Sequence, residues 1–232
     1  MLKTSHDRKV SVNHGKGVGN SFGIPAGISC PGKTATCERI CYAGKLEKIY
    51  PNVRGVLMHN WDLLKDATRS EMLTLINDMI TSFSKDCDKR GVEKKFRIHW
   101  DGDFFSYDYA LAWATVISVH PDVQFWAYTR SFEYVGLFER LPNLSLYLSV
   151  DKDNLNDAKR VRIRYRWVRW AYLDETMADA AVPVKDFTGR PGAMCPENVK
   201  RIPLITEKTG ACISCNLCVE GKADVRFAIR KR

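Results

Sequence analysis

The stretch KFRIHWDGDFFSYDYALAWATVISVHPDVQFWAYTR, Lys95–Arg130, decides the fold. Its opening, Lys95 to Trp100, alternates Phe96, Ile98 and Trp100 with polar neighbours, which is the period of a strand. Tyr107 to Val119 contains no Gly or Pro and is long enough for a helix. A His-Pro-Asp turn follows, and Val123 to Tyr128 is a second strand rich in aromatic residues. Strand, helix and strand joined by short connections make a βαβ unit, so the pairing is parallel.

Outward from this unit the alternation continues. A short helix over Phe132–Arg140 leads to a third strand at Leu144–Val150. A second short helix over Asn154–Lys159 leads to a fourth strand at Ile163–Tyr172. On the N-terminal side lie two helices, Val53–Lys65 and about Thr68–Lys89. The second sets Met72, Leu75, Ile76, Met79, Ile80 and Phe83 at helical spacing, as a core-facing stripe does. The units are too few for an eightfold barrel. The expectation is an α/β fold: a partial, open (β/α) barrel with a parallel sheet over residues 1–180. An irregular four-cysteine segment over residues 181–232 completes it. Residues 13–45, rich in Gly, Pro, Ser and Cys, are expected to form an irregular loop.

The totals agree with one sizeable core: 232 residues, 45% hydrophobic and 27% charged. No window approaches the roughly 18 apolar residues of a membrane span, and the N-terminus has no secretory h-region. A cytoplasmic protein is expected, and in that compartment grouped cysteines serve metal or redox chemistry rather than disulfides. The net charge of +9 suits a nucleic acid or an anionic nucleotide as partner.

In parallel α/β folds ligands sit at the carboxyl ends of the strands. Those ends carry Asp101-Gly102-Asp103, Thr129-Arg130-Ser131, Ser149-Val150-Asp151 and Asp174-Glu175. Any one of these polar groups simply begins a loop, but four in succession suit a shared rim.

Seven of the eight cysteines fall into two sets. Cys30, Cys37 and Cys41 lie within twelve residues of a Gly/Pro-containing loop. Cys195-Pro196 is followed by Cys212-Ile-Ser-Cys215-Asn-Leu-Cys218. The Cys-x2-Cys-x2-Cys run with a distant Cys-Pro has the spacing of a ferredoxin-like [4Fe–4S] site. Three thiolates on such a cluster leave one iron open, as catalytic metal sites do. The rival is structural zinc, completed at the first set by a histidine such as His14, His59 or His99. Cys87, alone beside Asp86 and Asp88, is an incidental thiol.

Arg160, Arg162, Arg164 and Arg166 alternate with Val161, Ile163, Tyr165 and Trp167. A period of two places four guanidinium groups on one strand face. They would meet phosphates, or carboxylates from neighbouring helices.

Two resemblances follow from these residues. Ser21-Phe22-Gly23-Ile24-Pro25-Ala26-Gly27, Cys30-Pro31-Gly32, Cys37-x3-Cys41-Tyr42-Ala43, Trp100–Ser106, Ala127–Ser131 and the final cysteine run resemble the phage-borne gene product 88 family, from about Gly19 to Cys218. A host-cytoplasmic location follows if the chain is phage-encoded. The wider pattern looks like radical S-adenosylmethionine (SAM) enzymes, although the spacing is Cys-x6-Cys-x3-Cys, not Cys-x3-Cys-x2-Cys, and the aromatic Tyr42 follows the last cysteine. That likeness implies an open [4Fe–4S] cluster on Cys30, Cys37 and Cys41, and SAM bound near Tyr42, Asp101, Gly102, Asp103 and Ser149. It also implies catalytic roles for Asp101, Asp103 and Arg130, an external electron donor, and a second [4Fe–4S] cluster on Cys195, Cys212, Cys215 and Cys218. A non-catalytic iron–sulfur or zinc protein that binds nucleic acid, and a two-cluster redox carrier, are the alternatives.

Overall fold

The computed structural model describes residues 1–11, 17–174, 192–206 and 209–228. Six parallel strands form one sheet: β1 (Lys95–Ile98), β2 (Gln124–Thr129), β3 (Leu144–Val150), β4 (Arg169–Asp174), β5 (Ala193–Met194) and β6 (Val225–Ala228). Their spatial order is β1-β2-β3-β4-β6-β5. The helices are α1 (Ala35–Ile40), α2 (Tyr42–Ile49), α3 (Pro51–Leu64), α4 (Arg69–Arg90), α5 (Tyr107–Val119), α6 (Leu155–Arg164) and α7 (Ala211–Cys215). The expected α/β class and parallel sheet are therefore present, and no helix among the described residues is long and apolar enough to cross a membrane.

Beside β1, Asn20–Ile24 runs like one more strand. Arg97 N donates to Asn20 O at 2.9 Å, Phe22 N to Arg97 O at 3.1 Å, Trp100 N to Phe22 O at 2.9 Å and Ile24 N to Asp101 O at 3.1 Å. The segment leads straight into the three-cysteine loop, so that loop leaves the carboxyl end of the sheet.

Strand alternation sorts the sheet into two faces. Phe96, Ile98, Phe125, Ala127, Leu146, Leu148 and Val150 pack with Met72, Ile76, Met79, Ile80 and Phe83 of α4 and Trp113, Val116 and Ile117 of α5. The other face presents Trp126, Tyr128, Tyr147, Ala171 and Val225. Val10, Val219 and three of the C-terminal cysteines cover it. The expected domain division at residue 180 lies outside the described residues, whereas β5 and β6, which flank the C-terminal cysteines, belong to the same sheet.

Two expectations are overturned. Much of residues 35–45 is helical rather than irregular, because the segment supplies its own caps. Thr34 Oγ1 accepts from Cys37 N at 3.0 Å to start α1, and Cys41 Sγ accepts from Gly44 N at 3.3 Å to start α2. Such caps satisfy the orphan N–H groups of a helix start.

The arginine-rich stretch is not a strand until Arg169, since α6 runs to Arg164. Leu155, Ala158, Val161 and Tyr165 follow a helical period and pack on the core, which competes with and defeats the period-two reading. The arginines consequently diverge. Arg160 pairs with Asp157, Arg162 with Asp224 at 2.8 Å, and Arg164 lies over the Tyr165 ring at 5.2 Å. No four-guanidinium row exists.

Candidate functional site

The three-cysteine loop is clamped to two strand ends by glycines. Gly102 has φ +81°, and a Cβ there would lie 2.4 Å from Ile24 Cγ1 and 2.7 Å from Ser29 Oγ. A Cβ on Gly32 would lie 2.2 Å from the Arg130 carbonyl oxygen. Only hydrogen fits at either contact, so the loop's backbone approaches β1 and β2 as closely as a chain can.

Under the loop, Asp103 is buried and fully bonded. Its Oδ1 accepts from Thr129 Oγ1 at 2.7 Å and Phe104 N at 2.8 Å, and its Oδ2 accepts from Arg130 N at 2.7 Å. Burial outweighs these bonds and pushes its carboxyl up to about 6. Arg130 Nη1 donates to Asp151 Oδ2 at 2.7 Å, and Thr34 Oγ1 donates to the same oxygen at 2.6 Å. Asp153 Oδ2 accepts from Thr36 N at 2.9 Å. The start of α1 is thus tied to the end of β3.

Asp101 is arranged differently. Its Oδ1 accepts from Gly102 N at 2.8 Å, but its Oδ2 is buried and receives no donor. Burial first, and the Glu47 carboxyl beside it second, raise Asp101 above the ordinary carboxylate range. Glu47 also accepts from Ala26 N at 2.8 Å. Two carboxyls here compete for one proton or invite a cation.

Tyr42 OH donates to Trp100 O at 3.1 Å and accepts from Arg97 Nη2 at 3.2 Å. Ser149, expected near a cofactor, lies within β3, and its carbonyl accepts from Asn154 Nδ2 at 3.0 Å.

Cys30, Cys37 and Cys41 are each half-buried. Burial, then the Asp103 carboxylate, pushes the Cys30 thiol up to about 12. Cys37 is raised by burial too, with Arg130 pulling the other way and Cys41 among its charged neighbours. The upward shifts at Cys30 and Cys37 are opposite to the lowered pKa of an activated cysteine nucleophile.

The C-terminal set sits on the sheet face opposite α4 and α5, with Cys212 and Cys215 on α7. Cys212 and Cys218 pack with Trp126 and Tyr128, and Cys195 with Tyr147 and Val225. Tyr147 OH reaches Leu217 O at 3.1 Å and Ala223 O at 3.0 Å, while Ser145 Oγ and Gln124 Nε2 both donate to Val219 O. Burial pushes Cys212 and Cys218 up to about 12. Cys218 feels both Cys195 and Cys215, and Cys212 feels Cys218, so the four thiols share one neighbourhood. Among the described residues, no three His, Cys, Asp or Glu side chains converge closely enough to hold a single metal ion.

Arg97 stands between the two sets. Its guanidinium pairs with Asp7 at 2.9 Å and lies over the Tyr128 ring at 5.7 Å, while its Nε is buried with no acceptor. Cys87 is buried in the main core, remote in its packing from both sets.

Thr34, Glu47 and Asp153 were not legible as site residues. Their partners lie far along the chain, and no local motif marks them. The motifs that the sequence did mark can be compared with known proteins. The gene product 88 family model matches residues 2–221. The chain belongs to the gene product 88 family. The gene 88 protein of Mycobacterium phage L5 is 45% identical over 244 aligned residues, covering 100% of this chain and 99% of that one. The gene 88 protein of Mycobacterium phage D29 is 44% identical over 245, with the same coverage. No solved structure matches. The expected phage family is thereby established.

Proposed function

We propose that this gene product 88 protein is an iron–sulfur enzyme of the radical SAM kind. Its reactive centre is the Cys30, Cys37 and Cys41 set, and Cys195, Cys212, Cys215 and Cys218 hold a closed, structural or electron-relay cluster. The observation that carries this reading is the clamping of the cysteine loop by Gly32 and Gly102 onto the carboxyl ends of β1 and β2. That is where parallel α/β proteins bind ligands. With Asn20–Ile24 as its first strand, the sheet is read as a partial (β/α) barrel whose cysteine loop follows that strand.

The spacing of the C-terminal set, Cys-x2-Cys-x2-Cys with a distant Cys-Pro, supports a [4Fe–4S] cluster over a zinc ribbon, which more often uses two separated Cys-x2-Cys pairs. A [4Fe–4S] cluster with one open iron supplies one-electron chemistry on SAM, given an external reductant.

The chain's own groups have distinct tasks. Asp101, with a buried oxygen that receives no donor, is matched to a cationic amine. Asp103 accepts three hydrogen bonds and fixes the turn that presents Gly102 and Arg130. Asp151 neutralises Arg130, which sets that guanidinium as a positioning group unless a stronger anion displaces its partner. Thr34 holds the α1 start at this junction.

Anaerobic purification followed by iron and sulfide analysis tests the reading. About eight of each per chain is expected for two cubanes, and SAM should perturb the paramagnetic resonance spectrum of the reduced protein. One or two zinc ions without sulfide would refute it. Clusters indifferent to SAM would favour the redox carrier or the non-catalytic nucleic-acid binder.

A further inference from the structure

Nine large hydrophobic side chains are exposed among the described residues, and four of them lie between residues 28 and 50. They are Ile28, 60% exposed, and Tyr42, Ile49 and Tyr50, each 54% exposed. This concentration lies on the cysteine loop and α2, beside the candidate centre, rather than being scattered as single exposed apolar groups usually are.

The helix has a reason to leave these groups outside. At about 100° per residue, Tyr42, Lys45, Lys48 and Ile49 of α2 fall on one side with half-buried Leu46 at its edge, and Ala43 and Glu47 lie on the other. Ala43 is buried, and Glu47 turns inward to Ala26 N and Asp101. The only acidic residue of α2 is therefore withdrawn from the exposed face. Lys45 and Lys48 are exposed and make no ion pair with the described residues, and neither does Arg54, one turn beyond Tyr50. Glu38, on α1, is engaged by Lys33 at 3.1 Å.

An exposed face with aromatic rings and unpaired lysines, and without a free carboxylate, complements a ligand that has flat bases and a phosphate backbone. Single-stranded nucleic acid is bound in this way: bases stack on aromatic side chains while basic groups follow the phosphates. A regular duplex hides its base faces and gives the tyrosines nothing to stack on.

We propose that the exposed surface formed by Tyr42, Lys45, Lys48 and Ile49 of α2 and by Tyr50, which directly follows the helix, docks a single-stranded nucleic acid next to the three-cysteine set. This assigns the substrate class of the centre proposed above and rests on that reading only for its catalytic meaning.

The test is fluorescence anisotropy of the full-length protein with labelled 20-nucleotide DNA and RNA single strands and the matching duplexes. Wild type should bind a single strand more tightly than the duplex, and the two strands show which sugar is preferred. Lys45→Glu/Lys48→Glu should weaken binding about tenfold or more and flatten the salt dependence by roughly one unit of slope. Tyr50→Ala should weaken it about five- to a hundredfold, the range for one stacked base. Thermal melting and metal content measured on the same variants keep misfolding apart from lost contacts.

Wild type that ignores single strands, binds duplex more tightly, or releases the strand equally to polyglutamate would overturn the proposal. Variants that bind like wild type would do so as well. Binding that persists in protein lacking iron leaves this inference standing and removes the enzyme reading. Iron-replete protein that binds no strand does the reverse.

Discussion

Arg130 and Asp151 form a buried ion pair, with Nη1 2.7 Å from Oδ2 and side chains 10% and 0% exposed, that ties the end of β2 to the end of β3. Thr34 donates to the same carboxylate oxygen, so the pair also anchors the cysteine-bearing α1. Removing one partner strands a charge where water cannot reach it. Arg130→Met should therefore cost about 3–5 kcal/mol, read from urea unfolding. Adding Asp151→Asn in the same chain should recover part of that loss. A cost below about 0.5 kcal/mol for Arg130→Met would show that the pair contributes little.

With the proposed clusters in place, the glycine clamp predicts a selective loss of metal. Gly102→Ala has to place a methyl group against Ile24 and Ser29 at a φ of +81°. It should destabilise the protein by about 1–3 kcal/mol and release the three-cysteine set from the strand end. Iron and sulfide should fall from about eight to about four per chain if only the closed cluster survives. Equal loss from both sets would contradict a clamp specific to the first.

His99 predicts acid sensitivity. It is buried among Phe22, Phe104, Tyr109 and Trp113, with Nε2 2.8 Å from the Tyr109 hydroxyl and no charged group against it among the described residues. Burial lowers its pKa from 6.5 to about 3. The unfolded chain gains the proton first, so the stability due to neutral His99 is complete above pH 6.5 and is lost as pH falls toward 3. The slope approaches about 1.4 kcal/mol per pH unit. Asp103, raised to about 6, gives the opposite slope between there and its unfolded value near 3.8. His99→Asn leaves Asp103 in place and tolerates the φ of 55°. Relative to wild type, its unfolding free energy should decline less between pH 6.5 and 4, and parallel curves would refute the assignment.

With the proposed closed cluster in place, Arg97 predicts a change in its potential. Its buried Nε lacks an acceptor, and its charge lies near Cys212 and Cys218. A cation beside a cluster favours the reduced, more negative form. Arg97→Gln should lower the midpoint potential of the closed cluster in a redox titration, and Arg97→Lys should restore part of it. An unchanged potential with full iron content would show that Arg97 serves only Asp7 and Tyr42.

Much of this architecture was legible in short-range patterns. The stripe from Met72 to Phe83, the strand at Leu144–Val150 and the polar strand ends at Asp101–Asp103 and Thr129–Arg130 each follow from residues within one element. The arginine ladder misled because Arg160–Arg166 satisfies two periods at once, and only the packing of Leu155, Ala158 and Val161 on the core selects the helix. The caps Thr34 and Cys41 lay inside a stretch whose Gly and Pro content argued for a loop.

The sequence by itself determined the order of strands and helices from α3 to β4, the grouping of seven cysteines into three and four, and membership of the gene product 88 family. These depend on local periodicity, spacing and residue identity. The tertiary structure alone decided that Thr34 meets Asp151, 117 positions away, and that Glu47 lies beside Asp101. It alone placed Arg97 between Tyr42 and the C-terminal cysteines. Such contacts are set by strand register and by how closely a loop can approach a strand end, and these arise only when distant segments bury their surfaces against one another.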